Sequence, residues 1–353
     1  MRYQLLVRDE FWDDLYHELE HAQRRVTMQF MTFEGDETGL RLVRKLIELR
    51  ERGVEVKVLI DRYTDFFISN KFHTDPSVQD ELDRTALMME EMLEAGIELK
   101  RTRPFGSPQV FFLARNHKKS VIIDDICYLG GINVSDHNYE WHDFMVRIND
   151  PRITDTVAED FAHGFEGIED DLIQHNIVTN RFLERTYYDL IESAKEEIII
   201  SSPYIIDLHL VKIFKKRKVR KTLLTLTDNN YQLYNIMADY LHSELTKGGT
   251  KIYHYTDFSH AKFLIIDRKV LLLGSSNFGT ESFVTKQEIG IVITDPEFVA
   301  EFIERMYTKN KDHMEEHKPI ISRFIPQRII TNIVFYLMLF YGKTFVKLVK
   351  PIG

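Results

Sequence analysis

Two short runs of this chain carry the same ordered set of reactive side chains. His117 is followed two residues on by Lys119 and, five further on, by Asp124; His260, Lys262 and Asp267 repeat the spacing. Gly130-Gly131-Ile132-Asn133 follows the first run and Gly274-Ser275-Ser276-Asn277 the second, and an acid comes next in each, Asp143 and Glu288. In a strand, residues i and i+2 share a face, so each histidine is expected to point the same way as its lysine. The Gly-x-x-Asn segment is expected on a second strand after a tight turn. Its small residues allow close backbone approach and its asparagine adds an amide donor. Each run then offers one imidazole, one ammonium and one amide. Brought together about a pseudo-twofold axis, two such sets suit a phosphodiester. The cations and amides hold the non-bridging oxygens. One neutral histidine attacks phosphorus, and the other, protonated, donates to the leaving oxygen. That chemistry needs no metal and no other cofactor.

The two motif aspartates stand apart from this set. Asp124 and Asp267 lie seven residues past their histidines, an odd number, so they should not share the histidine face. A turn-shaping or structural carboxylate is the better reading for both. Asp143 and Glu288 are the better candidates to orient a histidine and fix its tautomer.

Elements to position these residues recur in the same order in both halves. HAQRRVTMQFMTF (21–33) is matched by SAKEEIIISSPYI (193–205), each the end of an amphipathic helix feeding a strand. RGVEVKVLIDR (52–62) is matched by RKVRKTLLTLTD (217–228), and LEAGIELKRTR (93–103) by LTKGGTKIYHY (245–255), a helix closed by glycine before a short strand. NHKKSVIIDD (116–125) is matched by SHAKFLIIDR (259–268). Two copies of one α/β unit follow, with mixed sheets flanked by helices. The expected division is 1–150 for the first repeat, 151–182 for a helical connection, 183–318 for the second repeat and 319–353 for a tail. The 353 residues, 44% hydrophobic and 29% charged, supply a sizeable core. A net charge of -9 argues against an overall nucleic-acid footprint. The one cysteine, Cys127, cannot form an internal disulfide.

The residues quoted resemble the phospholipase D superfamily, whose defining feature is the duplicated H-x-K-x(4)-D motif with a following G-[GS]-x-N. Within it the likeness is to bacterial cardiolipin synthases, through RGVEVKVLID, GGINVSD, Trp141-His142-Asp143 and Ser202-Pro203-Tyr204. The resemblance covers about Phe11 to about Tyr307. It implies an active site at the interface of the two repeats and a covalent phosphatidyl-histidine intermediate. An alcohol acceptor, itself phosphatidylglycerol, then displaces the enzyme to give cardiolipin. It also implies His117 as nucleophile, His260 as acid, and Asp143 and Glu288 as the acids that orient them. Three departures stand out. The spacer from Asp124 to its glycines is one residue shorter than that from Asp267. Arg217-Lys218-Val219 replaces Arg52-Gly53-Val54. The transmembrane hairpin that precedes the motifs in longer synthases has no counterpart. Two rivals share the chemistry, a phospholipase D-type hydrolase releasing phosphatidic acid and a nuclease of the same superfamily. A non-catalytic lipid-binding protein is disfavoured by intact motifs in both halves.

The start, MRYQLLVRDEFWDD, does not read as a signal peptide. Ile329–Tyr341 is an apolar run followed by Lys343, Lys347 and Lys350, shorter than a bilayer span. It is expected as a helix lying in the membrane interface on the cytoplasmic face of a bacterial inner membrane, with a buried helix or dimer contact as the alternative. His17-Glu18-Leu19-Glu20-His21 matches H-E-x-x-H, but both histidines fall opposite the apolar face of Phe11, Leu15 and Leu19. His313 to His317 matches H-x-x-E-H in a charged stretch and reads as solvated. The basic run Lys215–Lys221 reads as a solvated helix end. Tyr63–Phe72 and Phe105–Leu113 are aromatic-rich and read equally as acyl-chain entrance or core.

Overall fold

The computed structural model of the chain describes residues 2–65, 76–102, 114–168, 171–226, 232–317 and 325–346. Phe105–Leu113 and most of Tyr63–Phe72 lie outside these. The chain forms two compact units, the first running to Ile177 and the second from Val178.

The first unit is built on a sheet whose strands run Tyr3–Val7, Phe144–Ile148, Ile126–Gly130, Ser120–Ile123, Arg25–Phe30, Glu55–Asp61 and Glu98–Thr102. Arg25–Phe30, Glu55–Asp61 and Glu98–Thr102 are parallel. The helices Glu37–Glu51 and Pro76–Glu94 connect them, as parallel neighbours require. Ser120–Ile123, Ile126–Gly130 and Phe144–Ile148 form an antiparallel meander on the other side. Alternate residues of the strands meet Phe11, Trp12, Leu15 and Leu19 of the helix Asp9–His21 and Leu42, Val43, Leu46 and Leu49 of Glu37–Glu51 in one core. A smaller cluster of Leu59, Phe161 and Phe165 fixes the helix Pro151–Phe165 to the same sheet. Within the segment 151–182, that helix therefore belongs to the first unit, while the helix Asn180–Ser193 belongs to the second.

The second unit repeats the plan. Glu197–Ser201, Arg220–Leu226 and Thr250–Tyr255 are parallel. Phe263–Ile266, Val270–Gly274 and Ile289–Ile293 form the antiparallel meander. The four paired sequence blocks thus supply equivalent strands. Among the additions that break the likeness, the short strand Met314–Glu316 pairs antiparallel with Thr250–Tyr255, beyond the last parallel strand. The C-terminal helix Ile325–Tyr341 packs Phe335, Val334 and Leu339 into this unit's core. Its other face leaves Ile329, Ile333, Tyr336, Leu337 and Phe340 more than half exposed. No helix among the described residues is long and apolar enough to cross a membrane.

Candidate functional site

The strand expected to carry His-x-Lys begins later than the motif. Ladder pairing starts at Ser120 in the first unit and at Phe263 in the second. His117–Lys119 and His260–Lys262 are the irregular segments that lead into those strands. Side-chain contacts help to hold them. Lys119 and Lys262 are fully buried, and each Nζ donates to the backbone carbonyl of its own motif histidine. That shared contact folds each segment back on itself. It fixes a cation against the backbone of each motif histidine, with His117 and His260 themselves 5% and 6% exposed.

The neighbours of His117 are pinned independently. Asp61, at the end of the strand Glu55–Asp61, accepts from the Asn116 backbone N–H at 2.8 Å, from Thr102 Oγ1 at 2.8 Å and from the Tyr63 N–H at 2.7 Å. Burial raises the Asp61 carboxyl pKa, opposed by Arg115 and by these donors. Lys118 Nζ meets Asp160 on the helix Pro151–Phe165 at 2.6 Å, and both are buried. The segment before His117 is thus tied to one carboxylate and the residue after it to another. In the second unit a neutral contact anchors the segment: Ser201 Oγ donates to the Ala261 carbonyl at 3.2 Å. Sequence reasoning did not single out Asp61, Asp160 or Ser201. The aspartate near the end of 52–62 was visible as a repeat feature, but its partners Thr102 and Asn116 lie 41 and 55 residues away.

Gly130 and Gly274 end their strands, so Asn133 and Asn277 sit just beyond the strand rather than on it. A side chain at either glycine would overlap the neighbouring strand's backbone, Phe144 or Ile289. At the next position the units differ. A β-carbon on Gly131 would overlap both carboxylate oxygens of Asp143. Ser275, its counterpart, instead donates its hydroxyl to Glu288 Oε2, while Ser282 donates to Oε1 at 2.8 Å. A shorter acid against bare glycine is matched by a longer acid held by hydroxyls. Both acids are buried. Asn133 Oδ1 accepts from the Thr32 N–H at 3.3 Å, whereas Asn277 Oδ1 is buried with no donor among the described residues.

Asp124 and Asp267 do different work. Each occupies the left-handed region, with φ of 51°, at the turn after its motif strand. Asp124 accepts from the backbone N–H groups of Gln23, Arg24 and Arg25 at 2.9–3.1 Å. Asp267 does the same for Lys195, Glu196 and Glu197 at 2.7–2.9 Å. Burial alone would raise their pKa values, but three backbone donors each outweigh it and hold both carboxyls below the ordinary range. The shorter first spacer has a local basis. Ile123 pairs with Ile126 across a two-residue turn, and Ile266 with Val270 across three, the second also taking Arg268 into positive φ.

The remaining features are placed as follows. His17 and His21 are exposed on the helix Asp9–His21, opposite buried Phe11, Leu15 and Leu19. His313 is exposed and meets Asp257 at 3.2 Å. His317, expected to be solvated with it, is instead half-buried and turned toward His242 and His254. The basic run is not uniformly solvated either. Lys221 is buried and donates to the carbonyls of Phe214, Arg217 and Gly248, closing the end of the helix Leu208–Lys216.

Comparison with known proteins agrees with this duplicated architecture. The family model described as "Cardiolipin synthase, PLD-like domain" matches residues 15–164 and again 187–309. A cardiolipin synthase B of Salmonella typhi is 26% identical, over 82% of this chain and 75% of its own. A cardiolipin synthase of Clostridium perfringens is 24% identical, over 98% of this chain and 75% of its own. Among solved structures, a phosphatidylserine synthase of Haemophilus influenzae superposes with a TM-score of 0.70 at 13% identity, covering 100% of this chain and 95% of that one. A polyphosphate kinase of Porphyromonas gingivalis reaches 0.66 at 11% identity, covering 96% and 53%. At such identities these two likenesses establish the fold alone. With most of each half matched by one family model, this chain belongs to the cardiolipin synthase, PLD-like domain family.

Proposed function

We propose that the chain is a phosphatidyltransferase that joins two phosphatidylglycerol molecules into cardiolipin and glycerol through a phosphohistidine intermediate. The observation that carries the reading is the duplication of one buried assembly. In each unit a histidine carbonyl accepts from its own motif lysine, and a buried acid and asparagine follow at the next strand end. On this reading the two histidines converge on one phosphorus atom. A ring nitrogen of neutral His117 attacks phosphorus. The bond from phosphorus to the headgroup oxygen breaks, and protonated His260 supplies the proton that oxygen takes. The hydroxyl of a second phosphatidylglycerol then attacks phosphorus, breaking its bond to the His117 nitrogen and losing its proton to His260. Lys119, Lys262, Asn133 and Asn277 stabilise the charge on the non-bridging oxygens. Asp143 and Glu288 hold the imidazoles in the productive tautomer. The names of the cardiolipin synthase relatives favour the lipid substrate. The exposed apolar face of Ile325–Tyr341 supports attachment to a membrane surface.

The decisive experiment incubates the protein with vesicles containing labelled phosphatidylglycerol and separates the products. Cardiolipin with equimolar glycerol is expected. Phosphatidic acid as the sole product makes water the acceptor and the protein a hydrolase. Rapid cleavage of nucleic acid with no lipid turnover overturns the reading. Brief exposure followed by mass spectrometry should locate the phosphoryl group on His117.

A further inference from the structure

Three histidines outside the paired motifs turn toward one another in the second unit. His242 sits on the helix Gln232–Lys247, His254 on the strand Thr250–Tyr255, and His317 directly after the edge strand Met314–Glu316. One ring nitrogen of each lies within 4.8 Å of the other two. The ring centroids stand 5.7 Å apart for His242 and His254, 5.6 Å for His242 and His317, and 4.3 Å for His254 and His317. His242 and His254 are 3% and 7% exposed, and Nε2 of each is buried with no hydrogen-bond partner among the described residues. Packing alone does not account for this group. Three apolar rings would fill the space without burying unpaired nitrogens, which are costly to strip of water.

We propose that His242, His254 and His317 are the ligands of a structural zinc ion, with Asp239 or a water completing the tetrahedron. Three imidazoles suit a borderline transition metal and not the oxygen-seeking calcium or magnesium. With zinc–nitrogen bonds of about 2.0–2.1 Å, tetrahedral ligand atoms stand about 3.4 Å apart, so short rotations of the three rings close the set. Asp239 precedes His242 by three residues on the same helix face. The ion would join a helix, an inner strand and the three-residue edge strand that the first unit lacks. The H-x-x-E-H match therefore marks one real ligand with the wrong partner: His313 turns away to Asp257, and the companions of His317 lie 63 and 75 residues earlier.

The test uses the full chain and needs no turnover. The protein as purified is expected to hold one equivalent of zinc by elemental analysis. After removal with a chelator, added zinc should raise Tm by several degrees. Cobalt(II) in its place should give the visible bands of a four-coordinate site. His317→Gln and His242→Asn should each abolish the cobalt bands and the zinc-dependent rise. The double substitution His17→Gln with His21→Gln should keep both, which separates this site from the H-E-x-x-H pair. Absence of cobalt bands in the wild-type chain, or their persistence in His317→Gln, overturns the proposal. His317 is half-buried, so that variant and the wild-type spectrum decide the matter even if His242→Asn fails to fold.

Discussion

A fully buried ammonium is tolerated only where acceptors surround it, and Lys119 and Lys262 each meet that need partly from the carbonyl of the histidine two residues before. Each histidine and its lysine therefore act as one unit. His117→Ala and His260→Ala are each expected to lower kcat by about a thousandfold or more with little change in Tm. Substantial turnover by either variant in a cardiolipin assay would contradict the paired mechanism. Gly131 gives a second prediction. Any β-carbon there overlaps the Asp143 carboxylate, so Gly131→Ala should displace the acid and lower kcat about tenfold or more while KM changes little. An unchanged kcat would show that the position of Asp143 is immaterial. Residue identity and spacing were legible from the sequence at this scale, because the two motifs validate each other. The supports of His117 were not. Asp61 and the Lys118–Asp160 pair join segments that only the folded sheet brings near.

The helix-to-strand junctions at Gln23–Arg25 and Lys195–Glu197 are each held by one carboxylate from a hairpin turn. Their N–H groups would otherwise lack partners where the chain enters the sheet. Asp124→Asn and Asp267→Asn are each expected to lower stability by about 1–3 kcal/mol in urea unfolding at neutral pH. Residual activity per folded molecule should be retained. The pH dependence follows from the direction of the shift. Both carboxyls are depressed in the folded protein, so their contribution is complete above the unfolded carboxyl pKa, near 4, and fades as pH falls through the folded value. The gap between wild type and Asp267→Asn should therefore close in acid, and a gap constant from pH 7 to pH 2 would refute the assignment. The seven-residue spacing pointed to a separate role for the aspartates, although strand alternation holds only from Ser120 and Phe263 onward. The start of the strand misled for a related reason. His-x-Lys followed by β-branched and leucine residues reads as one extended run, yet ladder partners begin only at Ser120 and Phe263.

For the molecule as a whole, the proposed reaction demands two histidines in opposite protonation states and access to a lipid surface. The first requirement predicts a bell-shaped dependence of kcat/KM on pH, and a flat profile across the histidine range would exclude paired acid and base action. The second bears on the helix Ile325–Tyr341, which follows the last residue matched by the family model. Its inner face is secured by Phe335, Val334 and Leu339, so it does not depend on a membrane to stay folded against the second unit. Its outer residues Ile333, Tyr336, Leu337 and Phe340 recur at helical spacing and remain more than half exposed, with exposed Lys343 one turn on. A monomer gains nothing in water from such a stripe, whereas an anionic bilayer accepts both the apolar side chains and the lysine. Leu337→Glu combined with Phe340→Glu should leave Tm nearly unchanged, because neither side chain is buried. The same pair should weaken sedimentation with phosphatidylglycerol vesicles about tenfold or more, and lower turnover on vesicles far more than on short-chain lipid dispersed in detergent. Equal loss on both substrates would place the defect at the reaction centre. Unchanged sedimentation would show that another surface holds the protein to lipid.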